Sequence, residues 1–96
     1  MRILNFGSLN IDDVYSVEHF VRPGETVSPI SYEQFPGGKG LNQSVALACA
    51  GAKVCHAGLV GSDGLFLKEL LASRGVCTDY LKEQNAPNGR AIIQVD

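Results

Sequence analysis

No stretch of this 96-residue chain approaches the roughly 18 consecutive apolar residues of a membrane-spanning helix, so no membrane partner is expected. Clustered basic charge is also missing. Eight Lys and Arg stand against ten Asp and Glu, scattered along the chain, for a formal charge of −2. A nucleic-acid footprint would need a concentrated basic face, and no such partner is expected. No block of like charge marks an interaction tail, and there is no repeat or low-complexity linker. The amino terminus reads as a strand, without the apolar stretch and small-residue cleavage site of a secretory leader; the expected location is the cytoplasm. Cysteine is sparse. Cys49, Cys55 and Cys77 are odd in number and lack CxxC spacing, which suits neither a disulfide framework nor a zinc site. Each stands among apolar neighbours and reads as a small core residue with a free thiol. His19 and His56 have no partner at ligand spacing, so no metal site is expected in this chain.

What remains is the composition of a soluble globular protein, 45% hydrophobic and 19% charged, long enough for one small domain. Its most informative stretch is Pro36-Gly37-Gly38-Lys39-Gly40-Leu41-Asn42-Gln43. Closely spaced glycines allow tight backbone geometry and let a ligand approach the main chain. The helix expected to start there presents unpaired N–H groups and the positive end of its dipole. Lys39 and Asn42 add an ammonium and an amide. Such a site suits an oxygen-rich ligand: a sugar, a phosphate or a carboxylate. Two familiar phosphate loops do not match. The P-loop needs Gly-x4-Gly-Lys-Ser/Thr, but Glu33 stands at its first glycine and Gly40 replaces the hydroxyl residue. The dinucleotide fingerprint Gly-x-Gly-x-x-Gly fails at Gln43. An ordinary loop-to-helix junction would account for the glycines alone; Lys39, Asn42 and the preceding strand favour a ligand site.

That strand is expected over residues 2–9 and delivers Asn10 and Asp12. In extended backbone, residues two apart share a face, so amide and carboxylate can enter one crevice. Turn chemistry would explain both residues equally well. Segments 13–17, 27–35 and 91–95 are β-rich, with turns at Pro23-Gly24 and Pro87-Asn88-Gly89. Leu41, Val45, Ala48 and Cys49 form one apolar stripe of a helix expected over 39–50 and ending near Gly51. Residues 53–59 read as a buried strand. A second helix is expected over 63–74, capped by Asp63, with Leu67, Leu70 and Leu71 inward and Gly75 as its stop. Strand–helix alternation predicts an α/β fold with a parallel sheet covered by helices. The three β-rich segments outside that alternation fit a separate small sheet.

Gly7-Ser8-Leu9-Asn10-Ile11-Asp12, then Pro23-Gly24-Glu25-Thr26-Val27, then Gly37-Gly38-Lys39-Gly40-Leu41-Asn42-Gln43 together resemble, in order and spacing, the opening signatures of the ribokinase-like carbohydrate kinases of the phosphofructokinase B type. The resemblance runs over the whole chain. A loop containing the lysine resembles the ribokinase branch more than the fructokinases. The resemblance implies a three-layer α/β/α fold with a β-sheet lid: core segments 1–12 and 37–82, lid segments 13–36 and 88–96. It implies that Asn10, Asp12, Gly37, Gly38, Lys39 and Asn42 bind sugar hydroxyls, and that Ala91 and Ile93 are lid positions packing against the sugar. It further implies ATP and Mg2+, with K+ a candidate addition, and a homodimer formed through the lid. One departure is Phe66, which follows Gly61-Ser62-Asp63-Gly64-Leu65 where the family usually has a glycine; the helix start is about two residues shorter.

Members of this family are considerably longer. Their Gly-Ala-Gly-Asp signature supplies the catalytic base and an anion hole, and an Asn-x-x-Glu motif assists magnesium. Neither occurs here. The expectation is therefore an amino-terminal piece of an ATP-dependent sugar kinase, carrying no catalytic residue and inactive alone, with the nucleotide and metal sites in a carboxy-terminal part. The alternative is a truncated, non-catalytic sugar-binding or dimerising module.

Overall fold

A computed structural model describes residues 2–96; Met1, the first residue of the expected core segment, lies outside them. The elements in chain order are β1 (Arg2–Phe6), β2 (Asn10–Ser16), β3 (Ser31–Gly37), α1 (Lys39–Cys49), β4 (Lys53–Val60), α2 (Leu65–Ser73), β5 (Cys77–Glu83) and β6 (Arg90–Val95). They form two three-stranded sheets, ordered β1-β4-β5 and β3-β2-β6. The first is parallel throughout, as strand–helix alternation predicts. In the second, β2 pairs antiparallel with β3 and parallel with β6. The Cα radius of gyration is 15.8 Å, above the about 12–13 Å of a compact chain this long, in keeping with a small sheet that stands off the helix-covered one.

The core lies between the first sheet and its helices. Leu41 from α1, Val54 and Val60 from β4, Leu67 and Leu71 from α2, and Leu81 from β5 are buried together with Leu9 and Ile11. Leu70 and Phe66 pack partly buried against them. Both helices end as the sequence suggests. Past Gly51 and Gly75, the N–H groups of Ala52 and Val76 reach back to Leu47 O and Leu71 O, the long bond of a Schellman stop.

Several expectations need correction. The first strand ends at Phe6 rather than residue 9, and Asn10 already opens β2. Asn10 and Asp12 therefore stand on a strand of the second sheet. Residues 27–30 are not strand, and β3 runs on through Pro36; β3 is a sheet edge, where a residue without an N–H is tolerated. Strand β5 had no counterpart in the sequence pattern. Its register slips between Cys55 and Ala57 of β4, and that irregularity breaks the alternation on which a strand is recognised. Asp63 does not cap α2. The N-cap is Gly64, with no side-chain capping bond, because the Asp63 carboxylate takes the Asn88 N–H and the Arg90 guanidinium instead. Cys49 is exposed at the end of α1 rather than buried; Cys55 and Cys77 are half-buried register partners, and all three are free thiols.

The face of the first sheet turned away from the helices is open. Leu4, Phe6, Leu59 and Tyr80 are 55–82% exposed there. Parallel sheets are normally covered on both faces.

Candidate functional site

The site is assembled at the junction of the two sheets. After β1 the chain turns through Gly7-Ser8-Leu9 into β2, and α1 starts against that turn. Gly38 adopts φ +99°, and a Cβ there would fall 2.7 Å from Ser8 O; glycine is the residue that tolerates both. A Cβ on Gly40 would meet the Gly7 carbonyl carbon at 2.5 Å. Glycine at these positions lets the helix start lie directly on the turn. No side chain caps α1. Ser8 O accepts the Leu41 N–H at 3.1 Å instead.

Register places the predicted residues of the second sheet on one face. Asn10 lies opposite Gly37, and Asp12 lies between Phe35 on β3 and Ala91 on β6. Val14 pairs with Ile93. The Asp12 carboxylate crosses Gly37, where a Cβ would be 2.6 Å from either oxygen. Asn10 Oδ1 lies 3.0 Å from the Cβ position of Gly89. Lys39 and Asn42 occupy the adjoining first turn of α1, both exposed. The fold thus brings Asn10, Asp12, Gly37, Ala91 and Ile93 onto one face, with Gly38, Lys39 and Asn42 at its edge. Among the described residues, the side chains of Asn10, Asp12, Lys39 and Asn42 make no ion pair, and no buried polar side-chain atom is left unpaired. A carboxylate, two amides and an ammonium are left free for an external partner. A cavity of about 600 Å³ opens beside them, lined by Phe6, Gly7, Ser8, Asn10, Leu59 and Gly89 among others. It sits at the carboxyl ends of β1 and β4, where open α/β sheets take ligands; of the predicted residues, only Asn10 lines it.

A polar joint holds the second sheet to the first from its other face. Asp13, 3% exposed, accepts from the Tyr32 hydroxyl at 2.7 Å, Gln34 Nε2 at 3.2 Å and Arg90 Nη1 at 2.8 Å. The Tyr32 hydroxyl foremost, then Gln34 and Arg90, hold its carboxyl below the usual range against the opposing effect of burial. Arg90 also pairs with Asp63 of the β4–α2 loop, whose carboxyl is likewise lowered, chiefly by the Asn88 N–H. The buried Asn88 side chain accepts from Gly61 N at 2.8 Å and donates to Leu9 O at 2.9 Å.

A second polar group lies under the glycine turn. Asn5 Nδ2 donates to Gly40 O and to Ser44 Oγ, both at 2.9 Å. Ser44 Oγ lies 2.6 Å from His56 Nδ1, and His56 Nε2 lies 2.9 Å from Gly7 O. Sequence reasoning passed over Asn5, Ser44, Asp13, Asn88 and Arg90. A usable signal was present for the second group: Asn5, Ser44 and His56 each stand on the apolar face of their element.

Residues 2–96 match the sequence pattern of the pfkB family carbohydrate kinases. The chain belongs to this family. It is 42% identical over 92 residues to a ribokinase of Haemophilus influenzae, covering 93% of this chain and 30% of that protein. Among solved structures, it is similar to the ribokinase of Cryptococcus neoformans in complex with ADP, with a TM-score of 0.90, 48% identity, and coverage of 97% and 30%. The Arabidopsis thaliana ribokinase complexed with ribose and ATP aligns with a TM-score of 0.79 at 28% identity, over 99% and 32% of the two chains. This pfkB-family chain therefore spans about 30% of the length of the relatives it matches.

Proposed function

We propose that the chain is the amino-terminal, sugar-binding part of a carbohydrate kinase that transfers the γ-phosphoryl group of ATP to a sugar hydroxyl, with ribose the leading substrate. One observation carries this reading: unpaired Asn10 and Asp12 share a face beside the first turn of α1, in a fold whose relatives include ribokinases. Asp12 would accept hydrogen bonds from adjacent sugar hydroxyls. Lys39 and Asn42 would bind others at the positive end of α1, and Ala91 and Ile93 would cover the apolar side of the ring. This division of labour suits a neutral polyol better than a phosphate, since a carboxylate faces the ligand.

Among the described residues, no three His, Cys, Asp or Glu side chains cluster as a metal site, and Mg2+ and K+ are assigned no ligand in this chain. ATP and its metal belong, in this proposal, to the remainder of the kinase. That remainder would also cover the open face around Phe6 and Leu59. A homodimer through the second sheet is part of the proposal: Phe35, Ile93 and Val95 give its ligand-facing side an apolar, 38–47% exposed margin. The test is a turnover screen of the full-length protein with ATP against pentoses, hexoses and nucleosides. Ribose should give the highest kcat/KM, and a preference for nucleosides or hexoses would reassign the substrate. The competing reading, a non-catalytic sugar-binding module, predicts sugar binding with no ADP release.

A further inference from the structure

With the His56 ring in its neutral form, the polar group beneath the glycine turn has one arrangement of donors and acceptors that satisfies every atom. Gly7 O can only accept, so His56 Nε2 carries the ring proton. Nδ1 is then an acceptor, and the Ser44 hydroxyl donates to it. The Ser44 oxygen in turn accepts from the Asn5 amide, whose other N–H goes to Gly40 O. Hydrogen bonds thus run in one direction from Asn5 on β1, through Ser44 on α1 and His56 on β4, to the Gly7 carbonyl. Ser44 and His56 are fully buried, where an unpaired polar atom is costly.

Stability does not require such a chain. Apolar residues of similar shape at both buried positions would remove the two partners of the Ser44–His56 bond together, the nearly neutral case, and leave unpaired only the half-buried ends at Asn5 and Gly7. What apolar residues could not do is orient the Gly7–Ser8 peptides. Ser8 O is the group that receives the Leu41 N–H and so stands in for the missing side-chain cap of α1. The Gly7 and Gly40 backbones lie so close that a Cβ on either would meet the other within 2.8 Å.

We infer that His56 is a positioning residue for the sugar site: by holding the Gly7 carbonyl it fixes the turn on which the first turn of α1, with Lys39 and Asn42, is seated. This deepens the sugar-kinase reading and rests on it for the identity of the ligand only.

The test compares the wild-type full-length kinase with the double variant Ser44→Ala/His56→Phe, in which both buried partners become apolar, and with His56→Phe alone. In the wild type, nitrogen-15 NMR of the ring should show the proton on Nε2. The double variant should melt above the single variant, which also strands the buried Ser44 hydroxyl. Its Leu41 amide should exchange with solvent about 10-fold faster, while the Ala50 amide at the other end of α1 is unchanged. The KM for sugar should rise about 5-fold, with kcat and the KM for ATP within roughly twofold. A proton on Nδ1, unaltered Leu41 exchange, or faster exchange along the whole of α1 would overturn the inference; so would an unchanged sugar KM. If the wild type turns over no sugar, the kinase reading fails, and the ring proton and Leu41 exchange still decide the role of His56.

Discussion

Truncating Asp12 to alanine should separate sugar binding from folding more cleanly than any other change. The Asp12 carboxylate has no ion-pair partner within the described residues, in contrast to neighbouring Asp13 with its three donors. Removing it leaves no internal group unpaired, and the space it vacates lies over Gly37, half open to solvent. The fold should therefore be nearly unaffected. Binding is a different matter. A hydrogen bond to a charged group is worth roughly 1.5–3 kcal/mol. Losing one weakens binding about 10-fold to 100-fold, and losing two weakens it further, at 1.4 kcal/mol per factor of ten. Calorimetric titration of the full-length kinase with ribose, wild type against Asp12→Ala, reads this directly. ATP affinity and the melting temperature serve as controls and should hardly move. Unchanged sugar affinity would remove Asp12 from the site. Equal loss of sugar and ATP affinity, with a lowered melting point, would mean that Asp12 holds structure rather than ligand.

Lys39→Met keeps most of the side chain's stem and deletes the ammonium; steady-state kinetics should show a raised sugar KM with an unchanged melting temperature. Gly40→Ala would drive a methyl group into the Gly7–Ser8 backbone, and an overpacked contact of this kind costs about 1–3 kcal/mol, measurable by urea unfolding. Acid should loosen the joint between the sheets. Asp13 and Asp63 are held below their ordinary values, so the unfolded chain binds protons more readily; the stability they confer is complete above about pH 5 and is lost as pH falls through the folded values. Asp13→Asn should therefore lower stability at neutral pH and flatten its decline in acid, as followed by urea midpoints at a series of pH values. The 96-residue chain alone should release no ADP in the presence of sugar, since phosphoryl transfer depends on positioning and charge stabilisation that the proposal assigns to the remainder of the kinase; sugar-dependent release abolished by Asp12→Ala would contradict this.

The parts of the fold legible in the sequence are those specified locally. The stripe Leu41–Val45–Ala48 and the stops at Gly51 and Gly75 need only neighbours three to five residues away, and α1 and α2 follow from them. The glycine turn announces itself because close approach needs several glycines together. Where tertiary partners decide, the sequence is silent. Leu9 and Ile11 are both buried, so apolar character continues across the junction between β1 and β2 and hides the end of the first strand. Asp63 looks like a helix cap until Arg90, 27 residues away, claims its carboxylate. His56 looks isolated because its partners lie 12 and 49 residues distant. The candidate site was legible in Asn10, Asp12 and the glycine loop, whose spacing within each segment is short; the residues that hold the segments together were not.

The placement of Asn10 and Asp12 on β2 changes how the site should respond to its ligand. Lys39 and Asn42 are carried by α1, which packs on the first sheet, while Asn10, Asp12, Ala91 and Ile93 are carried by the second. A ligand touching both sets bridges the two sheets. On the opposite side of the second sheet the sole side-chain ion pair across the junction, among the described residues, is Arg90 with Asp63, backed by Arg90 with Asp13. The buried Asn88 side chain adds a further tie, accepting from Gly61 N and donating to Leu9 O. In the proposed site, a ligand held by both sets of residues and the Arg90 pairs would each resist a change in the angle between the sheets. Affinity for the ligand and the strength of the Arg90 pairs are then coupled quantities, and weakening one should be felt in the other.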